Sequence, residues 1–244
     1  MPNDIKNWNL TIQTTEDEKY MRPLFDFTMQ FFTEIFGEDI MSAEPCILYN
    51  DASSSCPMLI IAQVPIQIRT CAKDLSFWAQ FIYQLSHEMT HYVIRQHKED
   101  KSFIAGWLEE TICEAVSLYI LNVASKRWFE CELFHSNQTY GKSLEEYLLS
   151  EYENKKSSAL KNCHTMQALE LINSTCESDR PARGIERNYL YDTFCEMPSL
   201  IAEFVWYPLY MLDHLRVDFS RWECERKSTQ LISCLKNIHP MLEC

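Results

Sequence analysis

His87-Glu88-Met89-Thr90-His91 lies inside an apolar run, with Phe77-Trp78-x-x-Phe81-Ile82-x-x-Leu85 before it and Tyr92-Val93 after it. The apolar positions recur at helical spacing, so the stretch predicts a helix with a buried face. On such a helix His87 and His91 are one turn apart and about 40° apart around the axis, so both imidazoles face one point. Two histidines carried into an interior need a reason, because buried ionisable groups are costly unless they are paired or bind a metal. A zinc ion supplies that reason. Glu88 follows the first histidine, where it can take a proton from a water beside the metal.

A catalytic zinc keeps three protein ligands and one open position. The third is sought downstream, in Trp107-Leu108-Glu109-Glu110-Thr111-Ile112-Cys113-Glu114. Eighteen residues separate His91 from Glu110, enough for a short connection and one turn of a returning helix. Glu114 lies one turn further along the same face, where it can accept a hydrogen bond from the second ring nitrogen of a ligand histidine. Glu109, beside the favoured ligand, is expected to face solvent. A rival third ligand is His97, six residues after His91. That arrangement needs a glycine where Ile94 stands to turn the chain back. An unbroken helix instead turns His97 to another face.

His-Glu-x-x-His, eighteen residues, then Trp-Leu-x-Glu resembles the gluzincin metallopeptidases, over about thirty residues from Leu85 to Ala115. The resemblance implies a peptidase with Zn2+ held by His87, His91 and Glu110, Glu88 as general base, and Glu114 supporting a ligand histidine. It also implies a peptide or protein substrate bound along an edge strand, for which Ile66–Arg69 is the candidate. A tyrosine or histidine from the C-terminal part would stabilise the oxyanion. Tyr191 and Tyr207 are favoured over Tyr189, Tyr210 and His214. The Gly-x-Met-x-Asn segment of the aminopeptidase branch is absent. A second reading is a regulatory or interaction protein with a structural zinc, for which a fourth ligand would be the mark. His135, His164 and His239 are read as structural.

Outward from that core, the chain reads as a mostly helical α+β fold. Glu16–Phe36 has Phe25, Met29 and Phe32 on one side and Gly37 as its stop. Cys46–Tyr49, Met58–Val64 and Ile66–Arg69 read as a small antiparallel sheet packed on the active-site helix, with Pro65 making the last run an edge strand or a bulged one. Asp74 or Ser76 caps a helix to about Gln96, a polar connection spans 97–102, and a second helix runs from Gly106 to about Trp128. From Ser143 on, further helices are broken near Ser174–Gly184, at Met197-Pro198 and at Pro208. Polar Ser174–Arg187 is read as a loop or lobe boundary. Residues 1–142 are read as the zincin-like catalytic region and 143–244 as a helical region completing the cleft, together one compact unit.

The chain has 244 residues, 46% hydrophobic and 23% charged, which is ordinary for a globular protein with a real core. Only 4 glycines are present, in keeping with a helical rather than a turn-rich chain. A net charge of −13 disfavours a nucleic-acid partner. No run of about eighteen apolar residues suggests a membrane span, and Met1–Leu10 lacks the apolar core of an export signal. The 11 cysteines are scattered without a Cys-x-x-Cys pair, which reads as reduced, mostly buried thiols of a cytoplasmic protein.

Overall fold

The computed structural model describes residues 7–15, 17–99 and 103–243. Glu16, the end of the 97–102 connection, Cys244 and Met1–Lys6 lie outside the described residues. The fold is α+β and mostly helical, with ten α-helices and one four-stranded sheet among the described residues. Contacts divide the chain into two units, Met1–Gln96 with Ser117–Glu151, and His97–Val116 with Tyr152–Cys244.

The first unit holds the sheet. Its strands are β1 (Trp8–Leu10), β2 (Cys46–Asn50), β3 (Met58–Ile60) and β4 (Ile66–Thr70), in the order β1-β2-β4-β3. Alternation sets the faces. Cys46 and Leu48 on β2, and Ile66, Ile68 and Thr70 on β4, are buried, while Gln67 and Arg69 between them are only partly covered. The sheet is mixed rather than antiparallel. β1 and β4 run parallel to β2, and β3 alone is antiparallel, pairing with β4. β4 is therefore interior, and β1 and β3 are the edges. Pro65 precedes β4, so its missing N–H falls outside the ladder and does not force an edge position. β3 stops at Ile60, and Val64 beyond it is 96% exposed.

Helix α1 (Arg22–Phe36) follows a single π-type turn, Asp17–Met21, and buries Phe25, Met29 and Phe32. Gly37 ends it at φ +86° and ψ 156°, a region open almost only to glycine. The four-residue α2 (Glu38–Met41) follows. Helix α3 (Trp78–Gln96) packs on α1, β3 and β4. Asp74 accepts from the Ser76 amide at 2.8 Å, an Asx turn that precedes the helix rather than capping it. Ile94 lies inside α3, which continues to Gln96 as its side chain favours.

Helix α4 (Gly106–Lys126) is continuous from the second unit into the first. In the first unit a 3-10 turn at Trp128 and helix α5 (Tyr140–Glu153) follow, and Trp78, Trp128 and Tyr140 form an aromatic cluster. The second unit contains α6 (Met166–Ser174), α7 (Gly184–Glu196), α8 (Ser199–Phe204), α9 (Phe219–Arg226) and α10 (Thr229–Ile238), around Trp107, Phe194, Phe204 and Trp222. The breaks fall where proline and polar signals put them: after Ser174, at Met197-Pro198, and in a 3-10 turn containing Pro208. Ser174–Arg187 is not a boundary. It lies within the second unit, and its Arg183 and Arg187 are buried.

Candidate metal centre

His87 and His91 project from α3, a helix buried on nearly every side from Trp78 to Ile94. Their Nε2 atoms stand 3.2 Å apart, with the rings at 72°. Two imidazole nitrogens bound at about 2.0–2.1 Å to one tetrahedral zinc are about 3.3 Å apart. The pair is thus already spaced as two ligands of one ion need to be.

Glu110 completes the group. One potential ligand atom from each of His87, His91 and Glu110 lies within 4.8 Å of the others, and no further His, Cys, Asp or Glu among the described residues joins them. Two nitrogens and a carboxylate oxygen form a donor set suited to a borderline metal such as zinc. Glu110 follows directly on the first turn of α4. That turn is fixed in the second unit. The Trp107 indole donates to the Leu215 carbonyl at 2.9 Å, and Asn173 accepts from the Trp107 amide at 3.0 Å. Gly106 allows the close approach there, since a Cβ would come within 2.7 Å of the Cys176 sulfur.

Glu88 is 4% exposed on α3. One turn before it, Gln84 accepts from the Cys71 amide at 3.0 Å and donates to the Cys71 sulfur at 3.4 Å, tying α3 to the residue that follows β4. Burial pushes the Cys71 thiol up, and the Glu88 carboxylate adds to the effect.

Glu114, fully buried one turn beyond Glu110, is held by arginines that the sequence reading left in a loop. Arg183 Nη2 lies 2.9 Å from its Oε1, Arg187 Nη1 3.6 Å from its Oε2, and Arg180 Nε 4.0 Å from Oε1. Burial raises Glu114 to about 7 against the pull of Arg183, Arg180 and Arg187, and the Glu110 charge pushes the same way as burial. The spacing Arg180, Arg183, Arg187 is a helical stripe, and that was the available signal.

The tyrosines fall in the second unit. Tyr207 is fully buried and donates its hydroxyl to Glu109. Burial, then the Glu109 charge, raises its pKa well above the phenol range. Glu109 is accordingly a half-buried acceptor rather than a solvent-facing group. Tyr191 meets Tyr152 edge-on at 5.7 Å, and burial, Cys195 and Asp192 raise it. His97 stands outside the ligand group, its ring 3.8 Å from that of Trp206. Cys113 is buried and is also outside the group.

Together the fold and the site define a class: a mostly helical α+β protein with a His-His-Glu group able to hold a metal ion. No family model, curated protein or solved structure matches the chain.

Proposed function

We propose that the chain is a zinc-dependent peptidase in which His87, His91 and Glu110 hold the ion and Glu88 is the general base. The observation that carries this reading is the convergence of the two imidazoles and the carboxylate, with a glutamate next in sequence to the first histidine. A zinc ion in that donor set would lower the pKa of a water toward about 7 and polarise a substrate carbonyl. Glu88 takes the proton as the water attacks the carbonyl carbon, and then delivers it to the leaving amine as the C–N bond breaks. Its burial shields this transfer from bulk water.

Glu114 acts from outside the ligand set. Tyr207, whose hydroxyl is engaged by Glu109, serves to hold the residue next to the ligand Glu110 rather than to meet the oxyanion. Tyr191 has its neighbours in Tyr152, Asp192 and Cys195. An extended peptide or protein substrate would lie along β3, the antiparallel edge, whose outer backbone groups can pair with it. A structural-zinc protein would close the group with a fourth ligand. The three-residue group and the adjacent base favour hydrolysis instead.

The test is Glu88→Gln, assayed on a quenched-fluorescent peptide library loaded with zinc. The variant should bind zinc as the parent does and lose about 10²–10⁴ in turnover. Full turnover by the variant would remove Glu88 from the chemistry. A zinc-loaded parent that cleaves nothing would favour the regulatory reading.

A further inference from the structure

Glu110 and Glu114 share one face of α4, about 6 Å apart along its axis. Like charges at this spacing repel. Both are buried, at 7% and 0% exposure. Against them stand Arg183 and Arg187, each 1% exposed. The partly exposed Arg180 stands at the margin of the same group.

The arginines are held on a rigid base. Gly184, the first residue of α7, lies so close to the chain at Lys155 that a Cβ would come within 2.9 Å of its Cα. Arg187 donates to the Asn154 carbonyl at 3.3 Å and Asn188 to the Tyr152 carbonyl at 2.7 Å. Arg187 keeps its bond to Asn154 if the carboxylate is lost, so its guanidinium stays buried.

A dication bound through Glu110 would then face two buried cations beyond Glu114. Resting on the metal site proposed above, we infer that Glu114 is a positioning residue that screens this cation from the buried Arg183–Arg187 pair, so that the arginines and the metal centre are electrostatically linked through one carboxylate. This role differs from a hydrogen bond to a ligand histidine. A glutamine at 114 can still accept such a bond, but it cannot cancel an arginine's charge.

Zinc affinity of the full chain, measured by competition with a chromogenic chelator, separates the two roles. Glu114→Gln should weaken zinc binding about 10- to 100-fold. Adding Arg183→Met to it should recover most of that loss, because the repelling charge goes too. Adding Arg183→Lys should not, because the charge stays. A merely structural role would make the double variant worse than the single one. Circular dichroism and thermal melts identify any variant that has failed to fold, and Glu114→Gln with Arg187→Met then provides the same comparison. The inference is overturned if Glu114→Gln binds zinc as tightly as the parent, or if removing the arginine charge brings no recovery. If the parent binds no zinc, the metal-site reading fails first and this inference fails with it.

Discussion

His97 shows how one residue's surroundings decide its chemistry. Sequence spacing made it a rival ligand, but its ring lies on Trp206, 3.8 Å away, in the second unit. Burial, with Arg226 nearby, lowers it from 6.5 to about 4. The folded chain therefore refuses a proton that the unfolded chain accepts between about pH 6.5 and 4. Its contribution to stability is complete at neutral pH and is lost as pH falls through that window, on the order of 3 kcal/mol in all. His97→Phe keeps an aromatic ring on Trp206 and removes the titration. In urea melts from pH 7 to 4, the variant should lose less stability than the parent. Parallel curves would refute the assignment. At this same scale the two histidines of the candidate group were legible, because i and i+4 on a helix fix a direction. The arginine partners of Glu114 were passed over, because the polar, proline-containing composition of that stretch suggests a loop and masks their helical spacing.

At the scale of elements, most helix limits and the strand positions could be read, whereas strand direction could not. Alternation of buried and exposed residues is unchanged when a strand is reversed, so Cys46–Asn50 and Ile66–Thr70 look the same parallel or antiparallel. Their parallel pairing, and the placing of β4 inside the sheet, depend on where the connections run. β1 has only three residues, too few to show any period. The stop of α1 was legible because glycine alone suits the turn. Gly37 has open space around its Cα, so Gly37→Ala meets no clash and the cost is purely conformational. Loss of about 1–3 kcal/mol is expected, seen as a lower melting temperature. An unchanged melting temperature would mean that the chain relaxes out of the positive-φ conformation.

At the scale of the whole molecule, composition foretold the helical α+β class and the buried thiols. Seven of the ten described cysteines are buried, and burial pushes Cys46 and Cys131 up to about 12, which makes them poor nucleophiles and poor ligands. No helix among the described residues is long and apolar enough to cross a membrane. Neither composition nor periodicity could reveal that α4 is shared by both contact units, with Glu110 and Glu114 in its first half. That division follows from long-range packing, which no local pattern encodes.

The most direct measurement is the zinc content of the purified chain after dialysis against a zinc buffer, for the parent, Glu110→Ala and His97→Ala. Three-ligand coordination by His87, His91 and Glu110 predicts about one zinc per chain for the parent and for His97→Ala, and close to none for Glu110→Ala. A parent without zinc, or a Glu110→Ala variant that keeps it while His97→Ala loses it, would contradict the account.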